Sequence, residues 1–310
     1  MSKAAALLAL AMTLAPVRGP SYVTVGFSPD GKHLVTTGVG MPVKIWELAS
    51  GKEVRQLTDK TSWASSAMYL PDGTVLIAGD KDGKIRRYSP ADGTAAGEPL
   101  GEIRDLVPRT TVSPNGKLLA LPCAEGIEVR NLETSATVGK FPSPTDIVWS
   151  VSFSADGKKL AAAFYDTTVH VWNLETGQET AKFSSREQAY AMALSPDGKT
   201  IVCGTHIGIL TFWDAEKGTW KYTVNHSSGS LMGVAFSPDG KKLASVDFDG
   251  TTKIWDPVSG HELRRLQGGY ATVAFSPDGK TLAAGGYMDR RTVWVWDAET
   301  GKELLKLSLQ

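Results

Sequence analysis

Short runs rich in Val, Ile, Leu and aromatic residues recur along this chain, parted by compact polar stretches. In residues 234–265 the breaks are Pro238-Asp239-Gly240, Phe248-Asp249-Gly250 and Val258-Ser259-Gly260, all tight-turn signals. Pro238 presets φ near about −65°, Asp239 accepts backbone N–H groups, and Gly240 supplies the positive φ that closes a hairpin. The pattern predicts four short strands, a to d, in an antiparallel meander.

The same phrase punctuates the whole chain. Ser28-Pro29-Asp30-Gly31 returns at Leu70, Ser113, Ser154, Ser195, Ser237 and Ser276, in steps of 42, 43, 41, 41, 42 and 39 residues. A second mark keeps that beat at Trp46, Tyr88, Arg130, Trp172, Trp213, Trp255 and Trp296. Glycine fills the a–b turn of every repeat and the c–d turn of all but the third, where Ser135 stands. Repeats of this length hold one four-stranded sheet that cannot bury both faces alone, so each must stack on its neighbours. The expected fold is all-β: a seven-bladed β-propeller with four antiparallel strands per blade, over residues 21–310. The last repeat carries its own strand d at Glu303–Leu307. The ring should therefore close by side-chain packing, without a strand shared between the ends.

The pairs Trp213-Asp214, Trp255-Asp256 and Trp296-Asp297, with Ser-Pro-Asp-Gly-Lys upstream, resemble the WD-repeat family across residues 22–310. The style is similar to bacterial members. The resemblance implies a non-enzymatic interaction scaffold. It also implies a hydrogen-bond network in blade six alone, joining His226, Ser245, Asp249 and Trp255, because the family's Gly-His before strand a is otherwise missing. Asp82, Asp166 and Asp289 match Asp249 without a His and read as turn residues. Blade three departs most, with Arg130, Asn131 and Ser135 for Trp, Asp and Gly. Arg130 is expected to stack on a neighbour with its head in water.

Charge narrows the partners. With 33 Lys plus Arg against 33 Asp plus Glu, no net field favours nucleic acid or an anionic membrane. Cys123 and Cys203 lie on equivalent strands two blades apart, too far for a disulfide, and read as small buried hydrophobes. Residues 1–20 stand apart: an apolar run from Ala4 to Ala15 fits a signal peptide and is too short to span a membrane. Cleavage would place the mature chain in the periplasm or outside the cell, with no membrane segment. If retained, the segment would add a strand or short helix to a cytoplasmic protein.

A meander sends its a–b and c–d turns to one face and its b–c and d–a connections to the other. The first face is uniform. The second varies from blade to blade, where recognition on a rigid scaffold is usually placed. Trp149, Tyr190 and Met232 occupy equivalent places there, with Trp63 and Tyr270 close to matching ones, and the b–c turns add Tyr165, His206, Phe248 and Tyr287. Together they suggest an aromatic sector over blades four to seven that binds a protein or peptide. The inner-strand starts, Val23, Ser65, Pro108, Trp149, Tyr190, Met232 and Ala271, include no good metal ligand. No catalytic, metal or cofactor residue is expected, and the propeller is read as a monomer. The alternatives are a propeller hydrolase with a channel site, and a carbohydrate or small-ligand binding propeller.

Overall fold

The computed structural model describes residues 22–309, apart from 39, 59–63, 65, 80–82, 103–109, 124, 146, 228 and 288–290. The expected signal peptide and the turn residues Asp82 and Asp289 lie outside the described residues. Seven four-stranded antiparallel sheets follow one another, each built from four consecutive strands. Strand a of the seven blades runs over Thr24–Phe27, Ser66–Tyr69, Thr111–Val112, Val148–Phe153, Ala189–Leu194, Leu231–Phe236 and Val273–Phe275. The seven-bladed propeller is thus the observed fold. No helix among the described residues is long and apolar enough to cross a membrane.

The repeated phrase works as a small hydrogen-bonded device at the a–b turn. Ser28 Oγ donates to Asp30 Oδ1 at 2.6 Å, and that oxygen accepts the Lys32 N–H at 3.0 Å. Ser28 Oγ in turn accepts the His33 N–H at 2.9 Å. Blades four to seven repeat the Ser–Asp bond at 2.5–2.6 Å, and in blade three Asn115 stands in for the carboxylate. Blade two has Leu70 in place of Ser, and Thr74 Oγ1 supplies the bond to Asp72 instead. The Ser28 hydroxyl and the Lys32 N–H hold the Asp30 carboxyl below the usual carboxylate range.

Strand c sets the packing between blades. In six blades the register between strands c and d slips at the residue marked by the repeat, as between Val171 and Trp172. Such a bulge re-aims one side chain. Trp46, Trp172, Trp213, Trp255 and Trp296 are all buried, each in a cluster shared with the preceding blade. There are seven such clusters among the described residues, one at each junction. Trp294 packs between blades six and seven, and Trp220 stands on the outer rim.

The seam between the last and first blades is a full member of this set. Leu307 and Leu309 pack against Leu34 and Trp46, so side chains do close the ring. Backbone contributes as well: Val23 N–H donates to Gly286 O at 3.0 Å, Tyr22 bridges Tyr287, and Thr272 Oγ1 donates to Val23 O at 2.8 Å.

Blade three solves its missing Trp differently from expectation. Arg130 does not stack with its head in water. Its guanidinium forks onto Glu128 at 2.9 Å for both bonds, and Nη1 reaches Leu100 O of blade two at 3.3 Å. A planar fork beside a carboxylate finds more in this geometry than in solvent. Cys203 is buried, and burial pushes its thiol up to about 12, whereas Cys123 is only half-buried; both are free.

Ser135 sits at φ 59°, the left-handed conformation that the glycines of the other c–d turns adopt. A side chain there carries strain. Ser135→Gly should raise stability by about 0.5–1 kcal/mol, read as a higher urea midpoint. An unchanged or lower midpoint would show that this turn is relaxed.

Candidate functional site

Seven inner strands leave a central channel of about 680 Å³. Its wall draws on all seven blades and, among the described residues, includes no Asp, Glu, Lys, Arg or His. The reason lies in the repeat: inner strands alternate apolar core residues with small residues and hydroxyls. Ser150 Oγ accepts the Met192 N–H at 3.2 Å, and Ser152 Oγ accepts the Leu194 N–H at 3.2 Å, stitching blades four and five along the channel. Thr24 and Thr110 present buried hydroxyls there that have no hydrogen-bond partner among the described residues. One end of the channel is rimmed by prolines of the a–b turns, Pro114, Pro196 and Pro238; the other carries Tyr22, Trp149, Tyr190 and Met232.

The residues expected to form one aromatic sector fall into separate groups. Trp149 packs tilted against Tyr190 with ring centroids 4.5 Å apart, and Tyr165 lies 6.1 Å from Trp149. Tyr190 continues to His206 at 6.0 Å, whose Nδ1 stands 3.9 Å from a Glu187 carboxylate oxygen. This first group spans blades four and five. A second group joins Phe248 to Tyr287 at 4.9 Å and Tyr287 to Tyr22 at 5.0 Å, across the seam of the ring. Burial, with a contribution from Tyr22, pushes the Tyr287 phenol up to about 12. Met232 lines the channel between the groups, half-buried. Tyr270 belongs to neither: it packs on Trp294 at 5.6 Å in the core between blades six and seven. Trp63 lies outside the described residues, as do Ser65 and Pro108.

Among the inner-strand starts, Trp149, Tyr190, Met232 and Ala271 line the channel. Val23 is turned into the seam and Tyr22 takes its place. Ile207 was not singled out from the sequence. It stands exposed in the b–c turn of blade five, where blades four and six carry Asp166 and Asp249. An apolar residue at a position that otherwise holds a turn carboxylate was the signal.

The expected His226 network forms only in part, its Trp–Ser bond joined by a His–acid approach to a different acid. His226 Nδ1 is 3.5 Å from Asp247 Oδ2, both side chains being buried, and Trp255 Nε1 donates to Ser245 Oγ at 2.7 Å. Asp249 is exposed instead, beside Gly229. The cause is the turn itself: Asp247 Oδ1 accepts the N–H groups of Asp249 at 3.0 Å and Thr251 at 2.8 Å, which draws its carboxylate beneath the loop. The set lies inside blade six, away from the channel. No cluster of His, Cys, Asp and Glu able to hold a metal ion occurs among the described residues.

This architecture defines a β-propeller whose blades are keyed by a buried strand-c aromatic and whose b–c face varies. The family model described as WD domain, G-beta repeat matches residues 51–89, 135–173, 218–256 and 259–297, and the chain belongs to the WD-repeat family. Each matched stretch takes strand d of one blade with strands a to c of the next, so the sequence unit is offset by one strand from the sheet. Among curated proteins, the chain is 24% identical to Protein groucho of Drosophila melanogaster over 246 residues, covering 76% of this chain and 33% of that protein. It is 28% identical to Periodic tryptophan protein 2 of Arabidopsis thaliana over 208 residues, covering 64% of this chain and 23% of that protein. The chain thus spans a third or less of the length of these relatives. Both are eukaryotic, so they lend the bacterial style of the repeats no support.

Proposed function

We propose that this chain is a non-enzymatic interaction scaffold that binds a protein or peptide on the face of its b–c and d–a connections. The carrying observation is the Tyr165–Trp149–Tyr190 group at the channel mouth: large rings, held by one another, on the variable side of a rigid ring. Membership of the WD-repeat family supports the scaffold reading, and so does a channel wall that carries no charged side chain among the described residues, since hydrolytic chemistry needs carboxylates, imidazoles or a metal at the reacting bond. The balanced charge supports a partner other than nucleic acid, and the scaffold is read as a monomer. Export of the chain by way of residues 1–20, and a bacterial setting for it, are parts of the proposal; mass measurement of the mature N-terminus tests the export.

The function is tested with Tyr165→Ala/Tyr190→Ala. Trp149 is a poorer choice because it is only 9% exposed and its loss would mix unfolding with lost binding. Affinity capture from an extract of the source organism should retain defined proteins on the wild type, with recovery on the double variant lower by about tenfold or more at a similar melting temperature. Equal recovery on both would remove this face from the function.

A neutral ligand in the channel is the second reading. Rings at one mouth and, among the described residues, Thr24 and Thr110 hydroxyls without partners and a wall without charge suit a carbohydrate. Binding on a glycan array with no protein captured would favour it.

A further inference from the structure

Among the described residues, nine large apolar side chains stand well out into solvent. Five lie on outer strands and Val258 on a c–d turn of the opposite face. The remaining three, Tyr165, Ile207 and Phe248, are 38%, 41% and 45% exposed and occupy the b–c turns of three successive blades, four, five and six. Their coincidence on one arc is a property of the closed ring, because they are about one repeat apart in sequence.

Two of the three are fixed in place. Tyr165 leans on Trp149 and Phe248 stands edge-on to Tyr287 at 4.9 Å. Anchors that are already ordered lose little entropy when covered. The connections around them are acidic: Asp166 follows Tyr165, Asp249 follows Phe248, and Glu187 stands beside His206, with Arg186 the one opposing cation in the connections of these blades. Asp166 and Asp249 are exposed and the Glu187 side chain is 46% exposed, so their field reaches solvent.

We propose that this arc is the docking surface for an extended peptide whose apolar side chains cover Tyr165, Ile207 and Phe248 and whose flanking Lys or Arg residues face Asp166, Glu187 and Asp249. It deepens the scaffold reading of this face and rests on it. The apolar contacts carry affinity, while the carboxylates select the sign of the partner and speed encounter. Among the described residues the channel wall beside the arc carries no charge, so the three carboxylates, set against Arg186 alone, give this arc its sign.

Short random peptides displayed on phage test this against the full chain at low salt. Two variants serve as comparisons: Tyr165→Ser/Ile207→Ser/Phe248→Ser, and Asp166→Asn/Glu187→Gln/Asp249→Asn, each checked for an unchanged melting temperature. Peptides selected on the wild type should combine aromatic or aliphatic residues with Lys or Arg. Their binding should fall about tenfold or more on either variant. Acidic or uncharged winners would overturn the partner chemistry. Winners that bind the first variant as well as wild type would move the docking site elsewhere and leave the scaffold function standing. A selection that yields no binders at all would sink both.

Discussion

Trp213→Ala should lose about 3–5 kcal/mol of stability, a large part of what holds a domain together. Trp213 is 4% exposed, lies over Phe183 with centroids 4.6 Å apart, and donates from Nε1 to Thr211 Oγ1 at 2.9 Å. Truncation would open a cavity between blades four and five, among Val169, Val171 and Leu194, and strand the Thr211 hydroxyl. Neighbouring side chains cannot refill the space because they belong to two sheets whose spacing the ring fixes. Trp220→Ala is the control. That ring is 49% exposed on the outer strand, and its loss should change stability by less than about 0.5 kcal/mol. Urea unfolding followed by tryptophan-independent circular dichroism checks both. If the two variants unfold together, the strand-c tryptophans are not what binds blade to blade.

Asp247→Ala should cost about 3–5 kcal/mol as well, through a different mechanism. Asp247 is 1% exposed, and its removal leaves the His226 imidazole buried without its neighbour and two turn N–H groups without their acceptor. Asp249→Ala, the substitution favoured by sequence pattern, should cost less than about 0.5 kcal/mol because that side chain is exposed. The contrast separates the two acids. Acid dependence adds a second readout. Burial alone would push the Asp247 carboxyl up, but the His226 side chain and the Thr251 N–H outweigh it and hold it below its ordinary 3.8. A carboxyl depressed in the folded chain stabilises fully above its ordinary value and loses that contribution as pH falls from there through its lowered folded value. The stability gap between wild type and Asp247→Ala should therefore narrow between neutral pH and pH of about 3. A gap that is constant over this range would mean that the carboxylate contributes by packing rather than by charge.

Much of the fold was legible because its determinants are local. Pro238-Asp239-Gly240 closes a hairpin whatever surrounds it, and Trp255 marks the one strand-c position that the bulge turns into the core. The failures share a cause as well. Arg130 was misjudged because Leu100 O and Glu128 come from a neighbouring blade and a neighbouring position that turn chemistry does not encode. Tyr270 stands one residue before Ala271, the counterpart of Tyr190, and so reads as close to a matching place, yet the Gly268-Gly269 pair, at φ 114° and 80°, bends that connection and the ring meets Trp294. Ile207 carried a local signal, an apolar side chain in a turn, but nothing in one turn says that two others beside it are exposed too.

The order of residues by itself determined the number of modules, their strands, their turns and the faces on which connections emerge, since period-two alternation and turn chemistry act within a few residues. Only the closed ring decided which side chains from different modules meet. The seam through Val23 and Gly286, the channel wall uncharged among the described residues and the row of Tyr165, Ile207 and Phe248 all depend on how segments distant in sequence are brought together, and the choice of Asp247 over Asp249 on how its own turn folds. Contacts between modules exist only once the blades stand side by side, and those of the seam only after the seventh has packed against the first.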